Sequence, residues 1–412
     1  QTLSHGSQNF YFIKNAKKCT EGLCPIEEVG IVALDSQTFQ VELEYPAPYF
    51  LDILSCTLFF PIPSHLDQRD IKWECRMDDS FVSNGPFSLK KWKKGDFIVL
   101  NKNDKYWDSD NVQLDEIKIN LIEDGSTQLL MYEKKLLDWI GSPLNKVPPE
   151  AMQHIRKNAD YSSSPSPLVY WFFLNNDISP FSNAKFRKAL SYAIDRKEIA
   201  QHIFQGNSLP AYGIVAPCFH LGNSDCFTEK SFEEVNELFD ESLKELGLSK
   251  DSLPIITIKY PSGVETLKQT AQAVKRVWEK TFNIKIETNQ ADWSIQFTAI
   301  QKGDYQVGLM GWISYLIDPI YMLETFKYKN NLVNMSNWES QKYIDLLDQS
   351  NVEMQAAKRK RILIDSEKVL MDEMPVIPLC FLEMEYAKNE KLKGVNLPPS
   401  GEIDFKFATL SQ

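Results

Sequence analysis

Hydrophobic positions change period several times along the chain, and each change predicts an element. Near the start, EVGIVALDSQTFQVELEYPAPYF alternates around the turn Asp35-Ser36-Gln37, with Phe39, Val41 and Leu43 on one face. This predicts a β-hairpin, closed off by Pro46 and Pro48. Alternation returns at 84–108, where Phe87, Leu89 and Trp92 precede a Lys-Lys-Gly-Asp turn and Ile98 and Leu100 follow it. DEIKINLI reads as another strand and STQLLMYEKKLLDW as a helix. The Ser/Pro-rich stretch Ser162–Pro167 reads as a linker into the apolar strand Leu168–Leu174, a crossing between domains. In NAKFRKALSYAIDRKEIAQHIFQG, Phe186, Leu190 and Ala193/Ile194 form a helical stripe. Asp195 with Glu198 then opens a second helix that stops at Gly206.

The period is clearest between 231 and 310. A helix at 231–246 has Phe232, Val235, Leu238, Phe239, Leu243 and Leu246 on one face and stops at Gly247. Strand 255–260, helix 264–280 with its stripe Leu267, Ala271, Val274 and Trp278, strand 284–288, helix 293–302 and strand 305–310 follow. That order, β-α-β-α-β, predicts a parallel sheet flanked by helices. Helices at 338–350 and 355–371 lead to a strand at 376–382, a second crossing between lobes. A chain that crosses twice is built to hinge.

The stretch GLMGWISYLIDPIYML, 308–323, leaves the carboxyl end of the last parallel strand, where open α/β sheets collect ligands. Between Tyr305 and Leu323, Asp318 is the one ionisable group besides tyrosines. Trp293, Trp312, Tyr315 and Tyr321 cluster around this strand. Core packing accounts for such aromatics as readily as a pocket wall for apolar side chains does. Arg187, one turn into its helix, reads as structural first and as a ligand contact second.

Composition narrows the classes. The 412 residues are enough for two or three domains, and 43% hydrophobic with 25% charged residues is ordinary for a soluble globular chain. A net charge of −11 argues against nucleic acid as a partner. The Lys90-Lys91 and Lys93-Lys94 pairs around Trp92 read as a solvated turn. No apolar run is long enough to span a bilayer, and QTLSHGSQNFYF lacks the features of a signal peptide. Seven cysteines leave at least one unpaired in a monomer. Their spacing, as in KKCTEGLCP and APCFHLGNSDCF, does not fit zinc, and short-loop disulfides and free thiols both stay open. The short separation of Cys218 and Cys226 predicts a disulfide between them if the protein is exported. GxSxG, HExxH, GxGxxG and GxxxxGK[ST] are all missing and the five histidines are scattered, so a binder is expected, without metal or cofactor.

SNGPFSLKKWKKGDFIVLNKNDKYWD and LNNDISPFSNAKFRKALSYAIDRKEI carry a specific resemblance. They resemble the two hallmark segments of the extracytoplasmic solute-binding proteins of ABC importers, in the peptide/nickel family, and most of all its oligopeptide-binding branch. SLPAYGIVAP, FQVELEYPAPYF, the GW…DP loop and the Pro-rich strand after the last helices agree in order. The resemblance implies an α/β, two-lobe, periplasmic-binding-protein-like (type II) clamp with hinge strands, plus the remnant of an extra inserted domain. It implies 1–64 as that remnant, 65–167 and 383–412 as lobe one, and 168–382 as lobe two. It also implies a chain that enters late relative to its family, a periplasmic or extracytoplasmic location, and a lipid anchor on a missing N-terminal part.

By the same resemblance, the partners are a peptide or peptide-like ligand and the membrane subunits of an ABC permease, with the binder a monomer. The backbone from Gly311 to Ile313 would pair with the extended peptide, Trp293 and Trp312 would line pockets, and Asn175 or Asn176 would add a polar contact. The family's acid for the peptide ammonium corresponds to Tyr315, and its basic positions correspond to Ile300 and Leu309. The charged anchors are therefore replaced, with Asp318 the nearest substitute acid. Alternative readings are the same fold around a metal chelate, haem or sugar conjugate, or the sensor domain of a regulator.

Overall fold

The computed structural model describes residues 10–68, 73, 81–145, 147, 149–158, 160–206, 208–222 and 229–411. Its strands, in chain order, are β1 (Ile31–Ala33), β2 (Phe39–Val41), β3 (Phe87–Lys93), β4 (Phe97–Lys102), β5 (Glu116–Asn120) and β6 (Trp139–Gly141). Then come β7 (Tyr161–Leu174), β8 (Ser208–Pro210), β9 (Ile256–Pro261), β10 (Ile286–Ala291), β11 (Val307–Ile313), β12 (Val376–Lys388), β13 (Leu392–Lys393) and β14 (Thr409–Leu410). Contacts divide the chain into two compact units, Gln1–Cys56 with Pro167–Phe381, and Thr57–Ser166 with Leu382–Gln412. β7 and β12 each begin in one unit and end in the other.

In the first unit the strand order is β10-β9-β11-β7-β12, with β8 beside β12. β9 pairs in parallel with both β10 and β11, as the β-α-β-α-β pattern predicts. β7 then joins antiparallel to β11 along its whole length. The helix Glu265–Phe282 buries the expected stripe Leu267, Ala271, Val274 and Trp278. Trp278 is fully buried, packs against Phe172 at 5.7 Å, and donates its Nε1–H to Leu190 O at 2.9 Å. The helix Phe232–Leu246 starts with a reciprocal capping box between Ser231 and Glu234 and ends at Gly247 with φ of +66°. Its predicted face is right except for Phe232, which lies in the first turn and stays exposed.

The stretch Ser162–Pro167 is strand rather than linker. β7 runs unbroken for 14 residues, and Pro167 contributes only its carbonyl, which accepts from Ser314 N–H at 3.3 Å. A proline is compatible with a strand where no N–H is required of it. The predicted helix at 126–139 ends early, at Glu133, and the chain re-emerges as β6. Beyond the capped start at Asp195, residues Ile199–Ile203 form a π-helix.

Arg187 is structural. Its buried guanidinium donates to Glu373 O and Met374 O, both at 3.1 Å, and to Phe181 O at 2.7 Å, capping the end of the helix Ala356–Glu373. Burial lowers its pKa to about 10, so it remains charged at neutral pH. Residues near the start also pack into this unit: Tyr49 donates to Asn351 Oδ1 at 3.0 Å, and Ala47 N–H to Asn351 O at 3.0 Å. The predicted hairpin is present as β1 and β2, with Ile31 facing Val41 across it. Its Phe39, expected on a buried face, is exposed.

The second unit contains the antiparallel sheet β3-β4-β5 and the pair β13-β14. β6 joins β12 by pairing Gly141 with Tyr386. Gly141 has φ of +101°, and a Cβ there would lie 2.5 Å from Glu385 O, so both conformation and space require glycine. Glu385, nearly fully buried, receives Arg156 Nε and Nη2 at 2.5 and 2.7 Å and Tyr161 OH at 2.8 Å. A buried carboxylate is tolerated where its oxygens are this fully engaged.

Cys218 carries a buried free thiol, whose pKa burial raises to about 11. Cys226, its expected partner, lies outside the described residues. Trp278→Ala should remove a fully buried indole and its hydrogen bond, at about 3–5 kcal/mol. Urea denaturation followed by far-UV circular dichroism checks this; a loss below about 1 kcal/mol would contradict the assigned role of Trp278 in the first unit.

Candidate functional site

The site builds from β11 outward. Its ladder with β7 runs from Val307 opposite Leu174 to Ile313 opposite Leu168. One step beyond each end, Asn175 N–H donates to Gln306 O at 3.0 Å and Ser314 N–H donates to Pro167 O at 3.3 Å. An antiparallel ladder alternates hydrogen-bonded with non-bonded pairs. The even-numbered residues of β11 therefore point N–H and C=O toward β7, and the odd-numbered ones point away.

On that other side, β9 pairs with Val307 and Gly308 and no further. The reason is in the sequence of β9. With this register the next rung would take the N–H of residue 261 to the Leu309 carbonyl, and residue 261 is a proline. Beyond that point the N–H and C=O groups of Gly311 and Ile313 have no strand beside them among the described residues. They form a short edge able to accept one added strand, at the carboxyl end of the parallel segment.

Gly311 is held close to β7. A Cβ at this position would meet Tyr170 Cε1 at 2.8 Å. Burial raises the Tyr170 phenol to about 12, so it stays neutral. Side chains alternate across the strand, so Trp312 lies on the opposite face from Gly311 and Ile313. Trp312 is half-buried and stacks on Trp171 with centroids 6.2 Å apart, and its Nε1 is buried with no hydrogen-bond partner among the described residues. Trp293 opens the helix Trp293–Gln301, stacks on Phe297 at 6.0 Å, and is 52% exposed. Tyr315 is 60% exposed, which excludes it from the core.

Asp318 is placed otherwise. It is buried and caps the helix Pro319–Glu324 by accepting from Ile320 N–H at 2.9 Å. Its two oxygens also receive Arg359 Nη1 and Nη2 at 2.8 and 2.7 Å. Arg359 in turn lies over the Tyr49 ring at 5.0 Å and donates to Ser350 O at 3.1 Å. The carboxylate is thus spent on an internal, bidentate pair. Arg359, far along the chain in an unremarkable amphipathic helix, was not legible as its partner.

Both asparagines are also committed to the protein. Asn175 Nδ2 donates to Gly303 O and Tyr305 O, and its Oδ1 accepts from Asp177 N–H and Asn337 Nδ2. Asn176 Nδ2 donates to Leu174 O and Ser336 O at 2.7 and 2.9 Å, while its Oδ1 is buried without a partner among the described residues. Ile300 and Leu309 are core residues. The structure therefore joins Gly311, Trp312 and Ile313 in one strand with Tyr315 just beyond it, and turns Asp318 and Asn175 inward.

The model of the bacterial extracellular solute-binding proteins, family 5 (middle part), matches residues 3–334. The chain belongs to this family. It is 34% identical over 409 residues to the oligopeptide-binding protein OppA of Bacillus subtilis, covering 98% of this chain and 75% of that one. It is 30% identical to the dipeptide-binding protein DppE of the same organism, covering 97% and 73%. Among solved structures, it is similar to a periplasmic oligopeptide-binding protein of Borrelia burgdorferi, with 27% identity, a TM-score of 0.77 and coverage of 99% and 81%. The mixed α/β fold expected from the pattern is the fold of these family 5 proteins.

Breaking the Asp318–Arg359 pair should cost stability first. Asp318→Ala leaves a guanidinium that is only 12% exposed without its carboxylate, at about 3–5 kcal/mol. Chemical denaturation checks this; a cost under about 1 kcal/mol would show the pair to behave as a surface one.

Proposed function

We propose that this chain captures an oligopeptide or peptide-like solute outside the cytoplasm and delivers it to an ABC permease. The observation that carries the reading is the open edge at Gly311 and Ile313. An extended peptide laid there gains backbone hydrogen bonds regardless of its sequence, while exposed aromatics such as Trp293 and Tyr315 offer surface to its side chains. Trp312 completes the proposed contact set. Asp318 pins the segment after the edge, and Asn175 and Asn176 brace the opposite end of β11, instead of touching the ligand. The chain is a binder rather than an enzyme in this reading, carried by family membership and by relatives named for oligopeptide and dipeptide binding.

We further propose that 65–167 with 383–412 and 168–382 are the two lobes of a clamp, with 1–64 the remnant of an inserted domain, part of which packs, through Ala47 and Tyr49, on the second of these lobes. β7 and β12, each running unbroken from one compact unit into the other, support a hinge role. Closing on the ligand would then create the form the permease accepts. A lipid anchor on an N-terminal part ahead of this sequence belongs to the same proposal.

Ile313→Pro removes one outward N–H at an edge, where proline is tolerated. It should weaken peptide binding by about 1 kcal/mol, with the circular dichroism spectrum unchanged and Ile313→Val binding as wild type. Calorimetry with a peptide mixture recovered from the native protein checks this. Unchanged affinity in the proline variant overturns the edge-pairing reading.

Tyr315 stands where the resemblance places an acid, and Asp318 is occupied by Arg359. Acetylating a peptide's N-terminus should therefore cost less than about 1 kcal/mol, the scale of a neutral hydrogen bond. Calorimetry with paired free and acetylated peptides measures it. A loss of about tenfold, or about 1.4 kcal/mol, would mean that another carboxylate anchors the ammonium.

A further inference from the structure

Away from the candidate site, two cysteines meet near the start of the described chain. Cys19 lies in the helix Ala16–Thr20, and a tight turn after it reverses the chain into Cys24. Gly22 N–H donates to Cys19 O at 3.1 Å and Leu23 N–H to Lys18 O at 2.8 Å, with Gly22 at φ of +76°. This pattern is a helix C-terminus closed by a left-handed glycine. It swings Cys24 back along the helix, where its Sγ lies 3.7 Å from Asn15 O, the same carbonyl that accepts from Cys19 N–H at 2.9 Å. Both cysteines are partly exposed, whereas Cys56, Cys218 and Cys380 are buried.

Disulfide formation needs two Cβ atoms about 3.5–4.5 Å apart and an accessible sulfur. The turn favours the first condition, because it returns Cys24 to the carbonyl that Cys19 N–H bonds. Partial exposure meets the second. Sequence spacing pointed to Cys218 and Cys226; among the described residues, the turn at Gly22 brings Cys19 and Cys24 together.

We propose that Cys19 and Cys24 are a redox pair that closes to a disulfide when the protein meets a small-molecule disulfide outside the cytoplasm. The thiolate of one cysteine attacks the oxidant's S–S bond, forming a mixed disulfide and releasing one thiol. The second cysteine's thiolate then attacks the protein sulfur, forming the Cys19–Cys24 bond and releasing the other thiol. Two protein protons are lost, and two electrons pass to the oxidant. Closing the bond gives up the S–H that reaches Asn15 O, while Asn15 keeps its N–H to Glu44 Oε2 and its Nδ2 to Glu28 O, both at 3.0 Å. These contacts tie the 10–16 segment to the chain flanking β1 and β2.

The test uses the whole reduced chain, folded, incubated with oxidised glutathione, acid-quenched, alkylated and mapped by mass. The peptide carrying Cys19 and Cys24 should lose two hydrogens and escape alkylation at both positions. Closure in the folded chain should be favoured at least about tenfold over the same chain in urea. Cys24→Ser should leave Cys19 as a glutathione adduct. Alkylation of both cysteines, a glutathione adduct on each, a bond from Cys19 to any other cysteine, or equal closure folded and unfolded would overturn the proposal. Since the wild-type chain carries the main readout, a poorly folding variant does not remove the test.

Discussion

One missing N–H organises the candidate site. Pro261 cannot supply the next rung between β9 and β11, and the parallel ladder stops at Gly308. β11 continues for several residues on its pairing with β7 alone. Because an antiparallel ladder uses alternate residues on each side, this second half of β11 necessarily turns the backbone groups of Gly311 and Ile313 outward. A buried edge left in this condition would be costly, and an exposed one invites pairing with another chain. The edge is only two outward residues long, which suits an extended ligand better than a second copy of the sheet.

The surroundings keep that edge in place without putting charge on it. The segment after β11 is pinned at its far end by Asp318, which caps one helix and grips Arg359 of another. Arg359 also covers Tyr49, whose hydroxyl reaches Asn351. At the opposite end of the strand, Asn175 and Asn176 spend their side chains on loop carbonyls around Tyr305 and Ser336. These polar groups hold the backbone where a ligand would meet it. Their value is positional, and most of the polar residues that look like ligand contacts in the sequence act as braces.

Much of the architecture was legible because it rests on local rules. The stripe Leu267, Ala271, Val274 and Trp278, the stop at Gly247 and the alternation of β-α-β-α-β are written in period and capping, which depend on neighbours in sequence. The same local rules led to error where context overrode them. Ser162–Pro167 has the composition of a linker, yet β7 includes it, because Pro167 sits where only its carbonyl is used. Phe39 follows strand alternation faithfully, but alternation marks one face as apolar without saying what will cover it.

By itself, the sequence determined that a parallel unit ends in an aromatic, nearly uncharged stretch at 308–323, with its last strand expected at 305–310; the structure carries that strand on through Gly311 to Ile313. Only the tertiary structure decided which of those residues face outward, because that parity is set by the register against β7, a strand more than 130 positions earlier. The fate of Asp318 likewise depended on Arg359, 41 residues away. That Cys24 returns to the helix carrying Cys19 depended on the turn at Gly22. Each of these outcomes is a pairing between groups, and pairing is fixed by geometry in space, whereas period, capping and composition are properties of the chain alone.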